Sequence, residues 1–178
     1  MKKALVVLGA LAFIFVAVNT STAQQSTKDQ AIDYNDKIIA LQTRIIKSMI
    51  DFSKSFGTGD KKTMMKAHAA MVSTIESNLK AAKKVGPFMG DSKLRDAAVE
   101  LFGFYDSISK KEYLEIVNIL GKGKPGKKGL ARINEIVESI TVRENALDKK
   151  FQGIQVAFTK KYGIGLAENK MQKEIDNL

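Results

Sequence analysis

Leu130-Ala-Arg-Ile133-Asn-Glu-Ile-Val137-Glu-Ser-Ile140-Thr-Val-Arg-Glu144-Asn-Ala-Leu147-Asp-Lys-Lys-Phe151-Gln-Gly-Ile154-Gln-Val-Ala-Phe158-Thr-Lys-Lys-Tyr162 decides the fold class. Its apolar residues, with Glu144 among them, recur by threes and fours for more than four heptads. That is the stripe an amphipathic helix needs to pack in a bundle or coiled coil. A helix is expected from about Gly129 to Tyr162, with Gly163 as its C-cap.

The same periodicity runs upstream. Tyr34, Ile38, Leu41, Ile45, Met49, Phe52 and Phe56 share one face, widened by Ile39, Ile46 and Ile50. Gly57-Thr58-Gly59-Asp60 supplies a glycine stop and an aspartate N-cap for the next helix. That helix, from about Lys61 to Lys84, carries Met64, His68, Met71, Ile75, Leu79 and Ala82, and Val85-Gly86-Pro87 ends it. A third begins at Asp91 or Ser92, with Leu94, Ala98, Leu101, Tyr105 and Ile108, then resumes as Tyr113, Ile116, Val117 and Leu120 in a shifted register. Ser109 and Glu112 have capping-box spacing, so this segment is either kinked or broken near Ser107 to Ser109. No alternating strand pattern is found. The expectation is an all-α, antiparallel up-and-down four-helix bundle with long helices. Its alternative is an extended hairpin that completes its core as a homodimer.

The N-terminus reads as an export signal. Met1-Lys2-Lys3 precedes an uncharged apolar run, Ala4 to Val18, that is shorter than the ~20 residues of a membrane-spanning helix. Ser21 and Ala23 then give the small-x-small pattern of a signal-peptidase site. Residues 1–23 are therefore expected to be a signal peptide cleaved after Ala23, 24–165 the bundle domain, and 166–178 a polar C-terminal tail. The competing reading is a retained membrane anchor. With no cysteine in the chain, a lipid-bearing cysteine, disulfides, a cysteine nucleophile and c-type haem attachment are all excluded. The expected location is periplasm, cell surface or medium.

The chain carries 29 basic and 19 acidic residues, a formal net charge of +10. An exported protein of this charge is drawn to anionic envelope components such as lipid head groups and lipopolysaccharide phosphates. Nucleic acid is a weaker candidate, and lysines interspersed with acids also serve plain solubility.

The candidate sites are few. Gly121-Lys122-Gly123-Lys124-Pro125-Gly126-Lys127-Lys128 imitates two phosphate-loop patterns, but a helix precedes it where both need a strand, and Lys128 replaces the magnesium-binding Ser or Thr. It reads as a flexible connector, with Lys122, Lys124, Lys127 and Lys128 as the candidate anion-binding residues at a helix N-terminus. Met65, His68 and Met71 lie on neighbouring turns of one face, a donor set suited to Cu(I) or Ag(I), although the same positions continue an apolar stripe. A di-iron centre would need Glu-x-x-His pairs on two helices, and His68 is the one histidine. Glu112 and Glu144 can both face inward near tyrosines, as paired carboxylates do in acid–base catalysis, but bundle-edge placement is the plainer reading. The expectation is a non-enzymatic protein without cofactor. A soft-metal binder and a helical chaperone or scaffold are the rival functions.

Tyr34-Asn35-Asp36-Lys37-Ile38-Ile39, Leu94-Arg95-Asp96-Ala97-Ala98 with Phe104-Tyr105, and Arg143-Glu144 through Leu147-Asp148-Lys149-Lys150-Phe151 to Phe158 resemble an uncharacterised family of bacterial surface proteins named from Leptospira. The resemblance implies an exported helical protein. It brings no known ligand, so no residue role is carried over. Members can be lipid-anchored, which this cysteine-free chain cannot be.

Overall fold

A computed structural model describes residues 26–165; the expected signal peptide with its Ala23 cleavage site, and the expected tail at 166–178, lie outside them. The helices are α1 (Thr27–Ser55), α2 (Lys61–Lys83), α3 (Lys93–Lys110), α4 (Glu112–Leu120) and α5 (Lys127–Lys161), with a single 3-10 turn at Phe56–Thr58. They form four columns, the third made of α3 and α4. Among the described residues there is no strand, and no helix is long and apolar enough to cross a membrane.

Local chemistry accounts for the ends. Ser26 and Asp29 form a capping box at α1. After Gly59, at φ 66°, Asp60 accepts from the Thr63 amide at 2.8 Å and starts α2. The α2–α3 turn is a tight reversal in which Phe88 and Asp91 exchange two backbone hydrogen bonds of 2.9 Å. Its central residues, Met89 at φ 48° and Gly90 at φ 83°, are both left-handed, the geometry that favours Asn-Gly.

The columns alternate in direction. His68 on α2 meets Ser109 on α3, and Lys110 reaches Glu76 at 2.7 Å. Along α5, Arg132 pairs with Glu115, Arg143 with Glu112, Lys150 with Glu100 and Lys161 with Asp91, a falling register that makes α5 antiparallel to α4 and α3. These exposed pairs record register more than they stabilise. Burial of Ile38, Ile45, Ile46, Ile75, Leu101, Phe102, Ile108 and their neighbours supplies the main driving force. At one end, Tyr34, Phe88, Phe158 and Tyr162 stack with ring centroids 4.9 to 5.7 Å apart.

Two expectations need correction. The third column breaks at Lys111, and Ser109 does not cap α4, because its hydroxyl donates to the Asp106 carbonyl at 2.9 Å. The α5 stripe is buried as read at Ile133, Ile140, Glu144, Phe151 and Phe158, but not along its whole length. Leu130 is exposed and Val137, Leu147 and Ile154 are half-buried, whereas Ile136, Asp148, Gln155 and Thr159 are buried. The buried face drifts about the helix axis, from Ile133, Ile136 and Ile140 in the first half to a face in the second that takes in Asp148, Gln155 and Thr159 beside Phe151 and Phe158.

Met89 holds a left-handed conformation that costs an L-residue about 1 kcal/mol, and it is 61% exposed, so little packing is lost on replacement. Met89→Asn is expected to raise stability by about 0.5 kcal/mol in urea unfolding, an Asn being at ease in this turn. An unchanged or lowered midpoint would count against the strain.

Candidate functional site

The turning of α5 carries polar side chains into the bundle. Glu144 is 1% and Asp148 4% exposed, one helical turn apart on α5. Buried with them are Asn35 and Gln42 from α1, Tyr105 from α3 and Gln155 from α5. Gln155 donates through Nε2 to Asn35 Oδ1 at 2.9 Å, which ties α5 to α1. Both carboxylate oxygens of Glu144, Oδ2 of Asp148, the Tyr105 hydroxyl, and Oε1 of Gln42 and of Gln155 have no hydrogen-bond partner.

Burial raises both acids, Glu144 to about 8 and Asp148 to about 7, with the Asp148 charge pushing Glu144 further up. The Tyr105 hydroxyl nearby partly offsets this for Glu144. Burial, and then the charges of Glu144 and Asp148, raise Tyr105 well above its ordinary value. Tyr113 is raised by burial and by Glu144 and Glu112. The bundle-edge placement expected for Glu112 and Glu144 fails for Glu144, which is buried; both lie near Tyr113, but the second carboxylate at Glu144 is Asp148, while Glu112 binds Arg143 at 2.7 Å. Asp148 stood at the edge of the sequence stripe, and only its spacing of four from Glu144 hinted at its place.

His68 is 7% exposed and its Nε2 lies 2.7 Å from the Ser109 carbonyl, so that nitrogen carries the proton and donates. The ring packs edge-on against Phe52 at 5.7 Å. Met71 is buried in the core, while Met65 is 36% exposed. Among the described residues no three His, Cys, Asp or Glu side chains gather as a metal-binding group.

The lysine segment joins α4 to α5. Its two ends are packed, at Gly121 and Gly129, while Gly123 and Gly126 between them have open space. The Gly121 amide donates to Val117 O at 2.8 Å, and a Cβ on Gly129 would come within 3.1 Å of Ile119. A Cβ on Gly121 would lie 2.7 Å from the Lys61 side chain, so the first residue of α2 lies against this turn. Lys61, Lys62, Lys122, Lys124, Lys127 and Lys128 are all exposed at this end. Neither α2 nor α5 has an acidic residue in its first turn, and the α5 N-cap, Gly126, offers no side chain.

Comparison of the chain with protein-family models, curated proteins and solved structures finds no match.

The acid pair makes stability depend on pH. The unfolded chain releases these protons near pH 4, while the folded protein keeps them until about pH 7 to 8. Stability therefore falls as pH rises through that window, and the penalty is complete above it. Glu144→Gln is expected to flatten the decline and to raise the urea midpoint at pH 8. Parallel pH profiles for the two proteins would show that Glu144 is not held protonated. Separately, His68→Ala should lower stability by about 2 kcal/mol, from lost packing and an orphaned Ser109 carbonyl; a loss below ~0.5 kcal/mol would remove the structural role.

Proposed function

We propose that the protein is a non-enzymatic, exported helical bundle that docks on an anionic envelope surface through its lysine end. One observation supports this reading above the others. Six lysines and the N-termini of α2 and α5 converge on the same end, with Asp60 engaged in capping Thr63. Exposed helix N-termini carry a partial positive charge, and lysines beside them are unfavourable by a few tenths of a kcal/mol each. Phosphates would relieve that repulsion and accept hydrogen bonds from first-turn amides that no side chain caps. Elsewhere on the bundle, Lys110, Arg132, Arg143, Lys150 and Lys161 are matched by acids along the α3–α5 flank. Lys61, Lys62, Lys122, Lys124, Lys127 and Lys128 have no such matching among the described residues.

Phosphatidylcholine vesicles, with and without phosphatidylglycerol, test the reading by cosedimentation. The protein is expected to pellet with the anionic vesicles at low salt and to be released as screening shortens the range of attraction. A surface lysine contributes on the order of 1 kcal/mol, so replacing Lys122, Lys124, Lys127 and Lys128 by Ala should weaken binding at least ~10-fold. Equal pelleting of both proteins, or none at low salt, overturns the proposal.

A further inference from the structure

Among the described residues, the cations of this basic protein lie outside the core, and two acids, Glu144 and Asp148, lie within it. Six oxygens from Gln42, Tyr105, Glu144, Asp148 and Gln155 are buried without hydrogen-bond partners. Five of them are carboxylate or amide oxygens. The ionisable neighbours that bear on Glu144 are Asp148 and Tyr105, and Asp148 is perturbed by burial alone, so no lysine or arginine from α1, α3 or α4 neutralises the pair. Orphaned acceptors of this kind are costly in a low-dielectric interior.

Register places the side chains relative to one another. The hydrogen bond between Asn35 and Gln155, with Tyr34 stacked on Phe158, fixes α1 against α5 in antiparallel alignment. Gln42 is two turns along α1 from Asn35, and Asp148 is two turns back along α5 from Gln155, a displacement of ~10 Å in each case. Gln42 and Asp148 therefore stand at the same level of the seam, and Glu144 with Tyr105 lies one turn further on. The α1 and α5 backbones approach sparsely, whereas α1 packs closely on α2, and α3 on α5.

We propose that this seam binds a hard divalent cation, held by the carboxylates of Glu144 and Asp148 with Oε1 of Gln42 and the Tyr105 oxygen completing the oxygen set. Two carboxylates neutralise a dication, and an all-oxygen donor set suits Ca²⁺, Mg²⁺ or Mn²⁺ rather than a soft ion. The independent pointers are Gln42 and Tyr105. Both are at least 99% buried, and each has an unpartnered oxygen at the level of a carboxylate. This site stands apart from the lysine end and does not depend on the envelope reading.

The whole purified protein, stripped with EDTA and exchanged into buffer at pH 7.5, would be melted with millimolar CaCl₂, MgCl₂ or MnCl₂. At least one ion is expected to raise Tm by ~3 °C or more, as saturation well above Kd requires. The shift should fall by at least half in Asp148→Asn and in Glu144→Gln, and persist in Glu138→Gln, which changes an exposed acid on the same helix. No shift with any of the three, or equal shifts in wild type and Asp148→Asn, overturns the site. If either buried-acid variant fails to fold, Mn²⁺ broadening of the Tyr105 ring resonances in wild type decides the matter. Selective broadening at stoichiometric Mn²⁺ supports the site, and unbroadened Tyr105 signals reject it.

Discussion

An unbroken α5 has to pack along a column that is broken. α3 and α4 meet at Lys111, where the backbone leaves the helical path at φ −114° and ψ −74°, while α5 continues past the junction through Lys161. A rigid helix meeting two differently placed partners satisfies both only by presenting a different face to each. Ile133, Ile136 and Ile140 belong to the first face, and Asp148, Gln155 and Thr159 to the second. The polar seam with α1 follows from that turn.

What the sequence made legible was local. Helix periods, the Gly59 and Asp60 junction, the stop at Pro87 and the antiparallel order all depend on residues within a turn or two of one another, and these agree with the structure. The misread elements depend on partners far along the chain. Ser109 had capping-box spacing with Glu112, yet its carbonyl is taken by His68, 41 residues away, and its hydroxyl turns back to Asp106. Asp148 and Gln155 looked like edge positions because a helical stripe shows where the apolar side is centred, not how far a neighbouring helix covers its flank. The proximity of Lys61 to Gly121 had no local signal at all. Met65, His68 and Met71 have the right spacing for a shared face, but they differ in exposure, since Met71 faces the core and Met65 the rim.

Charge is sorted by depth. The described lysines and arginines remain at the surface, where solvation is cheap, and several meet glutamates or aspartates there. Glu144 and Asp148 are withdrawn from it, along with the neutral amides of Asn35, Gln42 and Gln155. An interior of this kind is less stable than one filled with Leu or Ile at equal volume. It also discriminates more sharply among helix registers, because an amide or a carboxylate shifted by one turn would face an apolar neighbour instead of a polar one.

The aromatic stack of Tyr34, Phe88, Phe158 and Tyr162 lies near the beginning of α1 and the end of α5, opposite the lysine turn. Both ends of the described chain therefore emerge beside the aromatic cluster, about a helix length from the lysines. The bundle is directional in consequence. Anything joined directly at Ser26 or Gly165, whether a label or a tether, is held at the aromatic pole and leaves the lysine pole at the far end, like a probe held by its handle.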